Sequence, residues 1–256
     1  MGTNWLNREG ISCMAVFHKG NGSLNKKARR YLLWSVVFCF MPIFYGVYLV
    51  QQGELVAGLA PGYRYLPLLL VGFSFYYWRK AKTFRAGAKG ENQVGKYLKK
   101  HLPRQYHILS NCQIDDRDCQ DEIDLVIVGE TGIFVVEVKN HNGLIRGSEA
   151  ETTWRQEKIG RGGKHYQNKM KNPIRQTNRH AHSIAQYLRK ADVHQWVEGI
   201  LVFSNPKVTV YVESTRTMVF NSQEAVVDYV LAYEPQRGKM EKEEICRVVE
   251  LLQAIC

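Results

Sequence analysis

None of the six cysteines, at positions 13, 39, 112, 119, 246 and 256, stands in a C-x-x-C pair. That spacing excludes a zinc ribbon or a dithiol redox centre, and with Cys39 inside an uncharged stretch the set reads as reduced thiols rather than a disulfide framework. No internal repeat and no low-complexity tract is present. Acids are scarce: 24 Asp and Glu stand against 35 Lys and Arg, a net charge of +11. The shortage is sharpest between Arg155 and Lys190, where Glu157 alone opposes ten cations, Arg155, Lys158, Arg161, Lys164, Lys169, Lys171, Arg175, Arg179, Arg189 and Lys190. A patch of that kind favours a polyanion such as nucleic acid and predicts strongly salt-dependent binding. Gly160, Gly162 and Gly163 predict that its first part is flexible enough to close over a backbone groove.

Charge is absent altogether from Tyr31 to Val50, twenty residues that at about 1.5 Å per residue cover a bilayer core of about 30 Å. A second span is predicted over about 63–79, with Arg64 near its edge, Tyr76, Tyr77 and Trp78 as an interfacial belt, and a re-entrant or interfacial helix as the alternative. Lys19, Lys26, Lys27, Arg29 and Arg30 precede the first span, and Arg79, Lys80, Lys82, Arg85 and Lys89 follow the second. The connection 51–64 carries only Arg64 and Glu54. The positive-inside rule then predicts a transmembrane helical hairpin in a cytoplasmic membrane, with both ends in the cytoplasm. A secretory signal is not expected, because thirty mostly polar residues precede the apolar stretch.

After the anchor, two short β-branched runs, Ile123–Val128 and Ile133–Val136, flank Gly129-Glu130-Thr131-Gly132 and read as a hairpin. If Val128 faces Ile133, Asp124 faces Glu137 and Glu122 faces Lys139, all on one side of the sheet. Facing carboxylates about 5 Å apart repel by roughly 3 kcal/mol at an effective dielectric of about 20, so a cation should lie between them. Lys139 alone would serve as a structural salt bridge. A divalent hard ion is the sharper alternative, held by Asp124, Glu137 and the Val138 carbonyl, with the Val138 side chain turned into the core. A third acid, Glu91, precedes Val94 and Leu98 by three and seven residues on a predicted helix over 88–102, and so shares its buried stripe. A first-turn Glu favoured by the helix dipole is the other reading.

Gly87-x-x-Gly90-Glu91, the Ile123-Asp124 strand, Glu137-x-Lys139 with Asn140-x-x-Gly143, and Asn172-Pro173-x-x-Gln176 together resemble the nuclease-related domain (NERD) family, akin in fold to the PD-(D/E)xK phosphodiesterases. The likeness covers roughly residues 85–205, and Ile123 stands where the superfamily's signature has proline. The resemblance implies an α/β fold with a restriction-endonuclease-like αβββαβ core, and Mg²⁺- or Mn²⁺-dependent cleavage of DNA. It implies an active set of Glu91, Asp124, Glu137 and Lys139, with Gln176 directed at the catalytic site or the nucleic-acid backbone.

Asn172 and Pro173 open a helix with Ile174, Thr177, Ala181, Ile184, Ala185 and Leu188 on its buried stripe and Gln176, His180, Ser183 and Tyr187 on another face. His180 and His182, two residues apart, cannot share a helix face, and both are expected at the surface or on phosphate. Nucleic-acid contact is expected from Arg155, Lys158, Arg161, Lys164, Lys169, Lys171, Arg175 and Arg179. Strands are predicted over 197–203, 208–212 and 217–220, a helix from about Ser222, and a terminal helix burying Ile245, Val248, Val249 and Leu252. The expected organisation is a basic segment (1–30), a membrane anchor (31–80, spans about 31–50 and 63–79), the nuclease-like domain (85–205) and a C-terminal extension of it (206–256). The functional alternatives are a membrane-anchored nuclease and a non-catalytic module that holds nucleic acid or anionic lipid.

Overall fold

The computed structural model describes residues 14–20, 22–51, 65–116, 119–160 and 162–256, the side chains at 115, 116, 119 and 120 excepted. They divide into two compact units, Gly22–Lys89 and Gly90–Cys256, the latter joined by the residues ahead of Gly22. In the smaller unit, α1 (Ser23–Gln51) is the only helix among the described residues long and apolar enough to cross a membrane, and just 11 % of its most apolar window is buried. The next helix, α2 (Leu66–His101), starts near the expected second span but continues well past it. It does not meet the same criterion of length and apolarity. Within this unit the two helices touch. Phe38 packs on Phe73 and Tyr77, and Ser74 Oγ donates to the Ser35 carbonyl at 2.8 Å. Residues 52–64, with the expected connection and Arg64, lie outside the described residues.

The larger unit is built on a six-stranded sheet. Its strands, in spatial order, are β1 (Val16–Lys19), β2 (His107–Asp116), β3 (Cys119–Gly129), β4 (Gly132–Lys139), β8 (Val197–Phe203) and β10 (Met218–Phe220). β2, β3 and β4 are antiparallel neighbours, whereas β1 on β2, β8 on β4 and β10 on β8 are parallel. One face of the sheet is covered by α3 (Pro173–Lys190) and α5 (Lys242–Gln253), which bury Ile184, Leu188, Val248 and Leu252 against Val126, Val128 and Val135. The other takes the end of α2 and α4 (Gln223–Ala232), which bury Val94, Leu98 and Val226 against Ile127, Phe134 and Val136. Cover on both faces explains why β4 reads as an unbroken apolar run, since a strand buried twice has no reason to alternate.

The expected hairpin register is present: Val128 faces Ile133 and Leu125 faces Val136. Glu130 and Thr131 make the turn, and Gly132 has φ +138°, a backbone that side chains rarely adopt. The ladder ends at Leu125 and Val136, so neither the expected pairing of Asp124 with Glu137 nor that of Glu122 with Lys139 forms; Glu122 faces Gln113 of β2 instead. The cause is a slip in alternation. Asn111 has φ 57°, and no pair forms between it and Asp124, although the pairs on either side keep one register. Leu109 and Cys112 therefore enter the same core, as do Val126 and Ile123.

Two expectations about the basic segment and the first residues need correction. The stretch from Arg155, expected to be flexible, forms β6 (Thr153–Ile159) and β7 (His165–Lys171), which join β5 (Gly143–Ser148) and β9 (Val208–Glu213) in a second sheet of order β7-β6-β5-β9. Its inner face buries Ile145 and Trp154 against Ile174, Leu201 and Phe203. Residues 16–19, expected in a basic tail, are a sheet strand. The cysteines are not all reduced thiols: Cys112 is bonded to Cys256, whereas Cys39 and Cys246 are free and exposed. The C-terminus is drawn onto β2 by this bond and by the Gln113 amide, which donates to the Ile255 carbonyl at 2.7 Å. Cys13 lies outside the described residues.

Candidate active site

Glu137 and Lys139 share a face of β4 because they are two residues apart, and Val138 between them turns into the core. Lys139 Nζ donates to Glu137 Oε1 at 2.6 Å and to Gln176 Oε1 at 3.0 Å. Gln176 reaches it from the first turns of α3, whose start is set by Asn172. That side chain accepts from the Ile174 amide at 2.9 Å while its own amide donates to the carbonyls of Ser148, Glu149 and Glu151. Asp124, half-buried on β3 where the ladder has opened, accepts from the Val138 amide through Oδ2 at 2.8 Å.

Glu91 arrives from α2. It lies deep inside a 36-residue helix rather than in a first turn, so the helix dipole does not account for it. Gly90 explains the approach of this helix: a Cβ there would stand 2.7 Å from Ser204 Oγ and 2.9 Å from Asn140 Cβ. Glu91 acts electrostatically on Asp124. Burial first, then the negative charges of Glu137 and Glu91, hold the Asp124 carboxyl well above its ordinary range, with Lys139 and the Val138 amide only partly offsetting them. Burial also pushes Glu137 upward, but its His180 contact and Lys139 outweigh that and leave it below the usual value.

His180 corrects the sequence reading. It is 1 % exposed rather than at the surface. Its Nδ1 stands 3.0 Å from Glu137 Oε2 and its Nε2 3.7 Å from Oδ1 of a second buried acid, Asp121. Arg179 Nε and Ser183 Oγ donate to Asp121 at 2.9 and 2.8 Å. Burial raises the Asp121 carboxyl, yet Ser183, His180 and Arg179 together bring it below its ordinary value. Asp121 was missed altogether. The signal was the polar face Gln176, Arg179, His180 and Ser183, spaced by three and four residues: such a face belongs either in water or on buried acids. His182 is exposed.

Of the cations expected to contact nucleic acid, Arg179 is thus engaged with Asp121, and Arg175 donates to the Ala150 carbonyl at 2.9 Å. Arg155, Lys158, Lys169 and Lys171 lie on β6 and β7, Lys164 stands over the Tyr166 ring in the turn between them, and Arg161 is outside the described residues.

The donor set suits a hard divalent ion. Glu137 Oε2 is buried without a hydrogen-bond partner, because its 3.0 Å approach to His180 Nδ1 is badly aligned. Among the described residues no three His, Cys, Asp or Glu side chains form a ready metal cage. Two carboxylates with open positions are what Mg²⁺ accepts, since it keeps waters and substrate oxygens in its shell.

Comparison with known proteins gives a match over the part of the chain that carries these residues. Residues 86–204 match the family model described as nuclease-related domain, NERD, a stretch containing Glu91, Asp121, Asp124, Glu137, Lys139, Gln176 and His180. An uncharacterized protein of Bacillus anthracis is 34 % identical over 99 residues, which cover 38 % of this chain and 44 % of that protein, less than half its length. No solved structure matches. Over residues 86–204, somewhat less than half of its length, the chain is thus similar to the nuclease-related domain family.

Proposed function

We propose that this chain is a membrane-anchored nuclease that hydrolyses phosphodiester bonds of DNA on the cytoplasmic face, with Mg²⁺ or Mn²⁺ as its cofactor. The observation that carries the reading is Lys139, bonded to both Glu137 and Gln176 beside an Asp124 whose negative form is disfavoured until a cation arrives. Asp124, Glu137 and the Val138 carbonyl would hold the ion. When bound, it supplies polarisation of a phosphate oxygen and acidification of a coordinated water. Lys139 would orient an attacking water and offset charge developing on the phosphate, and Gln176 keeps the ammonium aimed. His180 positions Glu137, while Glu91 adds negative charge that strengthens cation binding. The order helix, three antiparallel strands, helix and parallel strand, formed by α2, β2–β4, α3 and β8, supports a restriction-endonuclease-like core into which β5–β7 are inserted.

A hairpin anchor is supported by two features. α1 is apolar and exposed, and β1, ahead of it, pairs with β2, which lies beyond α2. Strands in one sheet share one side of a membrane, so the intervening chain would cross an even number of times. The loop charges favour the cytoplasmic side.

The test is plasmid nicking by the full chain in detergent, with and without Mg²⁺ or Mn²⁺. Metal-dependent nicking is expected, with a loss of at least a hundredfold in Glu137→Gln and in Lys139→Ala, the scale of losing one group that stabilises transition-state charge. Equal activity in both variants would remove these residues from the chemistry, and no nicking by the wild type with either metal would leave the non-catalytic alternative. Orientation is checked by labelling Cys246, exposed on α5, with a membrane-impermeant maleimide. It should react in inside-out vesicles and not in right-side-out ones.

A further inference from the structure

Four side chains line up across the outer face of the second sheet. In the register of that sheet Arg146 of β5 faces Tyr211 of β9 on one side and Arg155 of β6 on the other, and Arg155 faces Lys169 of β7. Facing residues share a side, and their neighbours Ile145, Trp154, Met170 and Val210 point inward to the core. All four of the row are exposed. The Arg146 guanidinium lies over the Tyr211 ring, 5.2 Å from its centroid, and the ring itself is 60 % exposed.

This row is unfavourable for the fold alone. Like charges directly opposite on neighbouring strands destabilise the pair. Two such pairs stand here in succession, and among the described residues none of the three cations makes an ion pair with a carboxylate. Lys171 extends the same face along β7, opposite Thr153. A polyanion laid along the row would offset the repulsion.

We propose that the outer face of this sheet binds single-stranded nucleic acid, its backbone running over Arg146, Arg155 and Lys169 and one base stacked on Tyr211. The inference deepens the nuclease reading and rests on it. Strands about 4.8 Å apart make the row about 14 Å long, of the order needed for the smallest single-strand sites of about four nucleotides. The aromatic ring in register with the cations offers a base a π-face to stack on, and dependence on that ring is what separates nucleic acid from a lipid surface in the experiment below. It also favours an unpaired strand, since duplex bases already stack on each other. The sheet is tied to the candidate site at both ends. Gln156 of β6 donates to the Asn142 carbonyl at 2.8 Å in the short link from Lys139 to β5, and Lys171 is followed directly by the cap of α3, the helix that carries Gln176.

The experiment measures binding without turnover: fluorescence anisotropy of the full chain in detergent with EDTA, using labelled oligothymidylate of twenty nucleotides, a twenty-base-pair duplex, and phosphatidylserine vesicles as competitor. The single strand should bind more tightly than the duplex. Joint Arg146→Gln, Arg155→Gln and Lys169→Gln substitution should weaken it at least thirtyfold and reduce the slope of log K against log salt by about 2. Tyr211→Ala should cost about five- to a hundredfold and Tyr211→Phe should restore binding. If the triple variant does not fold, Lys169→Gln and Tyr211→Ala alone carry the same comparison. Unchanged affinity in these variants, tighter binding of the duplex, or displacement by vesicles with no effect of Tyr211→Ala overturns the proposal. Cleavage lost in Glu137→Gln but intact in the sheet variants, which also bind normally, would sink the sheet face and spare the nuclease reading. Tyrosine-dependent binding with no cleavage by the wild type would do the reverse.

Discussion

At the residue scale the decisive arrangement is a buried imidazole between two acids. His180 faces Glu137 on one side and Asp121 on the other, and Asp121 is fastened by Arg179 and Ser183. A carboxylate buried at 3 % exposure persists only because donors surround it. Its lowered folded-state pKa means that the stabilisation is present above the unfolded value of about 3.9 and is lost as pH falls through the folded value. Asp121→Asn should therefore lower stability at pH 7 by about 1–3 kcal/mol, and the difference from wild type should narrow below about pH 4. Denaturant titrations of both proteins at pH 7 and pH 3.5 check this; a pH-independent gap would assign the loss to packing. The Glu137-x-Lys139 tripeptide was legible because period two puts both residues on one face. His180 was not, because helix spacing says which residues share a face and not whether that face meets water or buried acid.

At the element scale, two motif glycines serve close approach. A Cβ at Gly143, with φ +86°, would lie against the Glu157 carbonyl oxygen and separate β5 from β6. Gly90 lets the helix residue next to Glu91 approach Asn140 and Ser204 closely. Gly90→Ala should gain about 1 kcal/mol in helix propensity and lose about 1–3 kcal/mol to overpacking. The expected net result is a destabilisation of up to about 2 kcal/mol together with weaker metal binding, read by thermal melting with and without Mn²⁺. A variant that melts higher and keeps the same metal-induced shift would show that the contact is slack. Most elements were legible in period: β8 over 197–203, α3 from its Asn-Pro start, α4 from Ser222, and the stripe of α5. β7 was not, because it is an edge strand whose residues 165–169 are all exposed, so no alternation was imposed on them.

For the whole molecule, the bond from Cys112 to Cys256 closes a sequence separation of 144 residues and fastens the C-terminus to a core strand. In the chain-entropy account a loop of that length contributes about 5 kcal/mol, while measured disulfides typically contribute about 2–4 kcal/mol. Cys256→Ser should lower the unfolding free energy by about 2–4 kcal/mol in denaturant titration. Alkylation of the unfolded wild type should leave two cysteines unmodified until a reductant is added. Full modification without reductant would show that the thiols are free.

Charge, period and chain length, read from the sequence alone, determined the long apolar helix and the β3–β4 register, because each depends on local spacing. Only the tertiary structure decided that β1 joins the sheet of β2, that Cys112 meets Cys256, that Asp121 lies behind His180 and that Tyr211, Arg146, Arg155 and Lys169 form one row. These partners are brought together by contacts between segments far apart in the chain. No local spacing rule specifies them, and their energies arise only once the core has closed.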